Sequence, residues 1–460
     1  MERICQWIDD HKDETIQTLR SWLSVPSLKA EASEGAPYGK ETLRALETAL
    51  GDAKAMGFAT RNVDGYAGDV RMGPLDQDPL AILTHLDIVP VGDGWTVDPF
   101  AGATDGEKIF GRGAIDDKGP GVAALYAMKA VQESGVPLKR EVRLILGCDE
   151  ETGMSDIMYY KTKIGMPREG FSPDAAYPVI NTEKGSLAIR LTAPAAADGL
   201  QVKHIAVGER RNVIPGSASA LVEGGDALVT QANGLAKQMA VAVEAEMAQG
   251  GVLLKAKGIP GHASLPEIAK NAIGELLLML RALGVQGPLR ALADIVGAEY
   301  DGASLGIACS DKTSGALTVN LGILRYDGQG LYAELDIRFP LLCDGKRVLE
   351  TVQSAFAGVI NCEELHITAP HHVSPNSKLV TALLDAYHTQ TGRPKECVAI
   401  GGGTYAKCLQ EGVAFGANFP EEEEMAHQAD EYIRIETLMQ NVKIMARAIL
   451  LLAGQEGAEY

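Results

Sequence analysis

Residues 79–90, PLAILTHLDIVP, form a short and continuous apolar run that polar residues close. Such a run is typical of a strand that is buried on both faces of a sheet. Helical spacing follows at residues 119–135, GPGVAALYAMKAVQESG, and a second buried strand at residues 140–151, REVRLILGCDEE. A strand, a crossover helix and a second strand in this order predict a parallel sheet with helices on both faces.

The pattern changes after residue 184 and returns near residue 374. Residues 184–194 and 330–341 alternate between apolar and polar, as strands with one wet face do. Further helices are predicted at residues 1–23, 42–58, 265–284, 377–390 and 433–453. We therefore predict an α/β fold, in which a mainly parallel-sheet domain with helices on both faces is interrupted by an inserted α+β domain. The predicted boundaries are residues 1–184 and 374–460 for the sheet domain and residues 185–373 for the insert.

Size and charge limit the classes of function. The 460 residues are too many for one ordinary core and predict two domains. The net charge of −19, from 61 acidic and 42 basic residues, argues against a nucleic-acid or membrane-surface partner. The longest apolar stretch, ELLLML at residues 275–280, is too short to span a bilayer, and the N-terminus lacks a signal-peptide pattern. The seven cysteines form no C-x-x-C pair, which favours reduced thiols and a cytoplasmic protein.

Histidine and acidic side chains gather where the predicted strands end. Seven such residues follow a strand or precede the helix between the two strands: His85, Asp87, Asp116, Asp117, Asp149, Glu150 and Glu151. Because the carboxyl ends of parallel strands meet at one edge of a sheet, we expect these side chains in one place. Like charges so concentrated require a metal ion or strongly raised pKa values.

The residue types indicate a metal but do not select one. Mixed His and carboxylate ligands without Cys favour Zn, Mn or Co. His85 is expected to bind metal through one ring nitrogen while Asp87 fixes the orientation of the ring. Of Glu150 and Glu151, one can ligate while the other stays free to move protons. Each feature also has an ordinary structural explanation, since a buried His, a solvated acidic turn and two Asp that cap a helix are all common.

Five blocks of sequence, in order, resemble one family. They are HLDIVPVGDGWTVDPF (85–100), GRGAIDDKGP (111–120), CDEETG (148–153), SPDAAYPVINTEKG (172–185) and MAHQADEYI (425–433). The family is that of the co-catalytic di-metal peptidases, which include PepV-type bacterial dipeptidases, carnosinases, aminoacylases and glutamate carboxypeptidases. The resemblance extends through most of the chain and is closest to the PepV type.

The resemblance implies two divalent metal ions per chain and five ligands. His85 and Asp174 are implied for one ion and Glu151 and His427 for the other, with Asp116 bridging both. A cis peptide is implied between Asp116 and the residue that follows it. Zinc is the metal we expect, and manganese or cobalt suits the same ligands.

The resemblance also implies the catalytic residues of the sheet domain. Glu150 is implied as the general base and then the general acid, with Asp87 beside it as the residue that orients His85. Asp174 stands where carboxypeptidase-like members tend to have Glu. This difference favours dipeptidase or aminoacylase chemistry.

The insert resembles the lid domain of the family. His262 in GIPGHAS fits the lid histidine that stabilises the transition-state oxyanion, and Asn212 in RRNVIPG and Arg338 in ELDIRFP fit residues that hold substrate. Arg338 also falls on the polar face of its strand by the two-residue period. Without the family, His262 reads as a helix cap and Arg338 as an exposed strand residue. In dimeric members the partner supplies the lid histidine, whereas this longer lid favours a monomer that supplies its own.

Residues 401–406, GGGTYA, open a predicted helix. The free N–H groups of Gly402, Gly403 and Thr404 are candidates to hold a substrate carboxylate. A tight turn without a binding role is the alternative.

These inferences predict a metal-dependent dipeptidase that hydrolyses unblocked dipeptides, with a two-metal-activated water and Glu150 as base. An aminoacylase or amidohydrolase acting on N-acyl amino acids is the alternative with the same site. The stretch GASLG, residues 302–306, satisfies a serine-hydrolase pattern but lacks the strand and helix that should flank it. A metal-dependent binding module without catalysis is the non-enzyme alternative, and the retention of Glu150, the five ligands and His262 argues against it.

Overall fold

The computed structural model describes residues 1–75, 78–196 and 198–455. These residues form two compact units. The split unit comprises Met1–Asn181, Val373–Val398 and the described residues from Gly403 onward, and the inserted unit comprises Thr182–His372 and Ala399–Gly402. The domain boundaries after residues 184 and 373 stay a prediction about domains that fold on their own, which limited proteolysis tests.

The elements are numbered in chain order. Up to Glu183 they are α1 (Glu2–Asp10), α2 (Lys12–Leu23), α3 (Lys40–Ala55), β1 (Ala59–Val63), β2 (Ala67–Met72), β3 (Leu80–His85), β4 (Ala103–Thr104), β5 (Lys108–Phe110), α4 (Lys118–Ser134), β6 (Val142–Gly147), α5 (Ser155–Lys163), β7 (Glu169–Ser172), β8 (Ala175–Ala176) and β9 (Val179–Glu183).

The inserted unit continues the numbering. Its elements are β10 (Gly185–Pro194), β11 (Val202–Val207), β12 (Val213–Ile214), β13 (Ser217–Val222), α6 (Asp226–Met239), β14 (Val243–Ala248), β15 (Gly251–Lys257), β16 (Gly261–His262), a 3₁₀ turn (Pro266–Ile268), α7 (Ala272–Ala282), α8 (Gly287–Ile295), β17 (Ser310–Asp311), β18 (Gly315–Ala316), β19 (Thr318–Tyr326), β20 (Gly330–Phe339), α9 (Gly345–Ala355), β21 (Asn361–Thr368) and β22 (His371–His372).

The rest of the described chain begins with a helix and ends with one. Its elements are α10 (Lys378–Thr391), β23 (Cys397–Ile400), a 3₁₀ turn (Tyr405–Cys408), β24 (Glu411–Ala414), β25 (Ala417–Asn418), β26 (Tyr432–Arg434) and α11 (Ile435–Ala453).

The main sheet of the split unit is parallel at its centre and antiparallel at its edges. Within the unit its order is β1-β2-β6-β3-β7-β24-β9. The pairs β6–β3, β3–β7 and β7–β24 are parallel, and the outer pairs are antiparallel. Because only a short turn joins β1 to β2, these two strands pair antiparallel. The predicted α/β fold with a mainly parallel sheet is confirmed, with the parallel pairs at its centre.

Helices cover both faces of this sheet. All six residues of β3 are buried. Its Leu80 and Ile82 pack in the hydrophobic cluster that contains α4 and α11, whereas Ala81 and Leu83 pack in a second cluster with Ile157 of α5. Because both faces of the strand are buried against apolar side chains, a functional polar side chain fits only where the strand ends at the edge of the sheet.

The inserted unit is an antiparallel sheet with helices packed on it. Its strand order is β14-β15-β13-β11-β19-β20-β10-β21. Leu187, Ile189 and Leu191 on alternate positions of β10 are buried in one cluster with residues of α7 and α8. The insert is therefore an α+β unit, as predicted, and its role as a lid stays a prediction.

Two stretches of helix begin or break differently from the prediction. The residues up to Leu23 form α1 and α2, which meet at His11. The helix predicted over residues 265–284 begins only at Ala272. Asn271 caps it there, because its side-chain oxygen accepts a hydrogen bond of 2.8 Å from the N–H of Ile273.

A disulfide corrects the interpretation of the cysteines. Cys309 and Cys343 are joined in the inserted unit. The prediction of seven reduced thiols is therefore wrong for this pair, which is 34 residues apart and forms no motif that sequence alone could reveal. The other cysteines of the described residues form no disulfide.

Candidate active site

Three parallel strands bring polar side chains to one edge of the main sheet. His85 is the last residue of β3, and Glu150 and Glu151 lie just after β6. Asp174 lies just after β7, and Asp116 lies on the turn before α4. Because β6, β3 and β7 are parallel neighbours, their carboxyl ends place these residues side by side.

Asp116 lies between two histidines. Its Oδ1 atom is 2.9 Å from Nε2 of His85, and its Oδ2 atom is 3.0 Å from Nε2 of His427. Each oxygen of one carboxylate therefore faces a different imidazole. This arrangement suits a carboxylate that bridges two cations.

A second carboxylate accompanies each histidine. Oδ2 of Asp174 lies 3.8 Å from Nε2 of His85, and Oε1 of Glu151 lies 3.0 Å from Nε2 of His427. The five residues predicted to ligate metal thus fall into two groups that share Asp116. Their ligand roles stay predictions, which the experiments below test.

Asp87 connects His85 to the loop that carries the two glutamates. Its backbone carbonyl lies 2.9 Å from Nδ1 of His85, and since a carbonyl only accepts, Nδ1 carries the proton and Nε2 faces Asp116. The Asp87 carboxylate accepts hydrogen bonds of 3.1 Å from the N–H groups of Glu150 and Glu151. Asp87 is 1% exposed and lies behind the histidine, where it orients the ring.

Asp117 has a different environment from Asp116, to which a cis peptide joins it. Its Oδ2 atom accepts a hydrogen bond of 3.1 Å from the backbone N–H of His85, and it makes no side-chain cap on α4. The ordinary explanation, a side-chain cap on the helix, therefore does not account for Asp117. Among the described residues, its buried Oδ1 atom has no hydrogen-bond partner.

A glycine allows the turn before α4 to close tightly. A Cβ on Gly119 would lie 2.0 Å from the backbone oxygen of Ala114, which is a clash with backbone that cannot move aside. Only glycine fits at this position, so the turn that carries Asp116 requires it.

Carboxylates outweigh burial in the titration of both histidines. Burial alone lowers the pKa of His85, but hydrogen bonds with Asp116, Asp174 and Asp87 raise it well above its ordinary value. Burial likewise lowers the pKa of His427, but hydrogen bonds with Asp116 and Glu151 raise it to about 11. Without metal, the carboxylates therefore favour the protonated, positively charged form of both imidazoles.

The remaining carboxyl groups crowd negative charge into a buried place. Burial, and then the charge of Asp174, raises the pKa of Glu150 well above its ordinary value. Burial and the charge of Asp116 raise the pKa of Asp174 to about 7 and also raise that of Glu151. A cation beside these groups would stabilise their charged forms.

The donor set fits a divalent metal ion. Carboxylate oxygens and imidazole nitrogens suit zinc, manganese and cobalt. Ligand atoms of two overlapping groups lie within 4.8 Å of one another, and these groups are His85 with Asp117 and Asp174, and His85 with Asp116 and Glu151. The orphaned Oδ1 of Asp117 adds a further acceptor that the described protein groups leave unsatisfied.

In the inserted unit, backbone pairing brings Asn212 and His262 together. His262 on β16 pairs with Val213 on β12, and the N–H of Ala263 donates a hydrogen bond of 2.9 Å to the carbonyl of Asn212. The His262 side chain is exposed, and its Nδ1 lies 2.7 Å from Oγ of Ser264. These two predicted lid residues are therefore neighbours, and their roles toward substrate stay predictions.

Arg338 is held in place within the inserted unit. Its Nε and Nη2 atoms donate to the carboxylate of Asp336, at 2.6 and 2.9 Å. Its Nη1 atom donates a hydrogen bond of 3.0 Å to the carbonyl of Gly401. A guanidinium fixed on two sides is oriented before any ligand arrives.

The prediction of a helix after the glycine run, residues 401–403, is wrong. Only a 3₁₀ turn, Tyr405–Cys408, follows, because the chain enters β24 at Glu411. The hydroxyl of Thr404 caps this turn by accepting a hydrogen bond of 3.1 Å from Ala406. The helix-dipole argument for Gly402 and Gly403 is lost, and their contact with substrate stays a prediction.

A sequence profile of peptidase family M20/M25/M40 matches residues 81–451. The chain belongs to this peptidase family. The peptidase is an enzyme that hydrolyses peptide bonds, and its family is one of metallopeptidases.

Relatives and solved structures agree with this assignment. The peptidase is 33% identical over 460 residues to the Beta-Ala-Xaa dipeptidase of Lactobacillus delbrueckii subsp. lactis, with 97% of each chain covered. It is 36% identical over 455 residues to YtjP of Bacillus subtilis (strain 168), whose name places it provisionally among dipeptidases, with 96% of this chain and 98% of that protein covered. Human carnosine dipeptidase 1 shares its fold, with a TM-score of 0.61 at 15% identity and 98% of each chain covered.

Sequence reasoning missed two buried charged residues of the peptidase's site. Arg112 and Glu431 form an ion pair of 2.6 Å in which neither side chain is more than 1% exposed. Each stands in the same sequence block as a predicted ligand, Arg112 with Asp116 and Glu431 with His427. Charged residues that lie in the same sequence block as a ligand could have been examined as candidates that hold the two ligand loops together.

Within the part of the chain that the structure describes, none of the helices combines the length and the apolar character that a membrane span requires.

Proposed function

We propose that this peptidase is a dipeptidase that hydrolyses the peptide bond of unblocked dipeptides with two divalent metal ions in its site. The observation that carries the proposal is the position of Asp116, with one carboxylate oxygen 2.9 Å from His85 and the other 3.0 Å from His427. His85 and Asp174 would hold one ion and Glu151 and His427 the other, with one carboxylate oxygen of Asp116 available to each. Zinc is the metal we expect, with manganese or cobalt as alternatives.

The metal ions and the protein have separate tasks. When bound, such ions polarise a carbonyl and favour the ionisation of water. Glu150 accepts the proton of the attacking water and later donates it to the leaving amine. Its raised pKa supports this role, because a carboxyl whose pKa lies nearer to neutral pH both takes up and returns a proton.

Asp87 and Asp117 position the residues that act. Asp87 fixes the proton of His85 on Nδ1 through its backbone carbonyl and accepts from the N–H groups of Glu150 and Glu151 through its carboxylate, so one residue positions both the histidine and the base. Asp117 holds the backbone of His85 at the end of β3. Neither needs to touch substrate for this task.

The lid residues recognise substrate in this proposal. His262 donates to the oxyanion of the transition state, and Asn212 beside it and Arg338 bind the dipeptide. Gly402, Gly403 and Thr404 contact its carboxylate. Because the inserted segment is longer than the lid of dimeric members, we propose that the chain supplies its own His262 and acts as a monomer. We also propose that it acts in the cytoplasm.

The dipeptide specificity is supported by the relatives. One relative of 33% identity that matches this chain almost end to end is named a Beta-Ala-Xaa dipeptidase. Asp174, in place of the Glu of carboxypeptidase-like members, agrees with dipeptidase and aminoacylase chemistry alike, so the names of the relatives decide between them. The aminoacylase alternative has no comparable support.

The experiment that tests this proposal compares blocked and free dipeptides. The chelated enzyme is reloaded with Zn, Mn or Co in turn and assayed on a free dipeptide, its N-acetyl form and its C-terminal amide. We expect cleavage of the free dipeptide and a loss of about 10²-fold or more when either end is blocked. Faster cleavage of the N-acetyl substrate would instead identify an aminoacylase.

A further inference from the structure

The Arg112–Glu431 pair forms a clamp between the two loops that carry the proposed metal ligands. Nη1 of Arg112 lies 2.6 Å from Oε2 of Glu431, and both side chains are buried. Arg112 lies on the turn that leads to Asp116, and Glu431 lies on the loop that carries His427. The pair is therefore built across the same two segments that meet at the metal site.

Glu431 binds the Asp116 turn through its backbone. Its Oε1 atom accepts hydrogen bonds from the N–H groups of Gly113, Ile115 and Asp116, at 3.1, 3.0 and 3.2 Å. The N–H of Gly111 donates to its backbone carbonyl at 2.9 Å. One oxygen that gathers three N–H groups fixes the path of the turn up to Asp116 itself.

Arg112 binds the His427 loop in return. Its Nη2 atom donates to the carbonyl of His427 at 3.4 Å and to the carbonyl of Val91 at 3.2 Å. The Trp95 ring lies 5.3 Å from its guanidinium carbon and covers it. Only a forked, planar cation reaches Glu431 and these carbonyls at once.

We propose that Arg112 and Glu431 are positioning residues that set the affinity of the site for metal, by holding Asp116 and His427 at the spacing that two ions need. The inference rests on the proposed ligand roles of Asp116 and His427. Neither residue of the pair touches the ligand atoms, so the pair acts through the backbone of its neighbours. Outer partners of metal ligands typically change metal affinity roughly 10- to 100-fold when they are replaced.

The test compares Glu431→Gln and Arg112→Lys with one control variant at another ion pair that has a buried carboxylate. The Glu431→Gln change removes the charge but keeps the shape, and Arg112→Lys keeps the charge but loses the fork. Glu141→Gln is the matched control. Glu141 directly precedes β6, is buried and pairs with Arg143 at 2.8 Å, and this ion pair includes no proposed metal ligand. Each full-length variant is titrated with Zn²⁺ against a chelator and with Co²⁺ by visible absorption, well below its Tm.

We expect both clamp variants to bind Zn²⁺ roughly 10- to 100-fold more weakly and to shift the Co²⁺ absorption bands. We expect Glu141→Gln to lower Tm while it leaves the Zn²⁺ affinity and the Co²⁺ spectrum as in the wild type. Wild-type metal affinity in both clamp variants would overturn the inference, since the pair would then support the fold alone. If Glu431→Gln does not fold, Arg112→Lys decides the question by the same two readouts.

The metal titration also separates this inference from the proposed function. If Glu431→Gln and Arg112→Lys weaken metal binding but the wild type cleaves no dipeptide, the positioning role is supported and the dipeptidase proposal fails. If the wild type cleaves dipeptides but both variants keep the wild-type metal affinity, the dipeptidase proposal is supported and the positioning role fails.

Discussion

The Oδ2 atom of Asp116 lies 3.0 Å from Nε2 of His427, although the sequence of the inserted unit separates the two segments. The other oxygen of the same carboxylate faces His85 at 2.9 Å. A single side chain thus joins two histidines that come from distant parts of the sequence. The following predictions depend on this relationship.

The first prediction concerns the two adjacent aspartates. Replacing the bridge, Asp116→Asn, should reduce metal content from about two ions per chain to less than one and abolish turnover, because both ions lose a charged ligand. Asp117→Asn is the matched comparison and should retain more metal than Asp116→Asn, because Asp117 supports the backbone of His85 and is not one of the five proposed ligands. Metal content is measured by atomic emission on dialysed protein, and equal loss in the two variants would argue against Asp116 as the bridge.

Glu150 and its neighbour should respond differently to the same change. Glu150→Gln should lower kcat roughly 10²- to 10⁴-fold at unchanged metal content, because it removes the proton acceptor and not a ligand. Glu151→Gln should lower metal content instead, because Oε1 of Glu151 faces His427 at 3.0 Å. Near-normal turnover of Glu150→Gln with metal bound would show that another group is the base.

Metal binding should release protons and strengthen as pH rises. Hydrogen bonds with carboxylates raise the pKa of His427 to about 11 and that of His85 well above its ordinary value, so metal must displace protons from both. The affinity for metal should rise about tenfold per pH unit for each proton released. Calorimetry in buffers of different ionisation enthalpy counts these protons, and a count of zero near pH 7 would contradict the prediction.

The same pKa shifts predict how the metal-free protein responds to pH. A histidine whose pKa is raised in the folded state contributes stability that is complete below the unfolded pKa, about 6.5, and disappears as pH rises toward the folded value. The Tm of the chelated protein should therefore fall as pH rises from about 6.5 toward 9. His427→Asn should flatten this dependence, and an equally steep fall in that variant would exclude His427 as the source.

A buried asparagine should support the lid residues. The Asn320 amide donates to the carbonyls of Arg211 and Val213, at 2.8 and 2.9 Å, on both sides of Asn212. Asn320→Ala should lower kcat about 10- to 100-fold at unchanged metal content, because misplacing Asn212 and His262 by about 1 Å is costly. Asn233→Ala is the control. It removes two hydrogen bonds between the Asn233 amide and the backbone of Ala245 and should affect stability alone.

The sequence predicted the sheet and the gathering of ligands because both follow from local patterns. The apolar run of residues 79–90 predicts a doubly buried strand, and its first ionisable residue, His85, is the last residue of that strand and so lies at the sheet edge. Parallel pairing then brings Glu151 and Asp174 beside it. Asp174 and His427 do not follow from this local pattern, and only the family resemblance implied them as ligands.

Other features depend on contacts that a sequence pattern does not contain. The pairing of Arg112 with Glu431 and that of Cys309 with Cys343 join segments that only the folded chain brings together. The start of α7 at Ala272 was not predicted, because the apolar spacing continues through the residues before it. The helix begins there because the Asn271 side chain caps its N-terminus. The helix expected after the glycine run fails for a similar reason, since β24 begins too soon.

The most direct test of the central claim is a crystal structure of the zinc-loaded peptidase with anomalous diffraction recorded at the zinc edge. We predict two zinc peaks per chain, each contacted by a different oxygen of Asp116, with His85 and Asp174 on one and Glu151 and His427 on the other. A single peak, or a pair bridged by Asp117 while Asp116 contacts neither, would contradict the account.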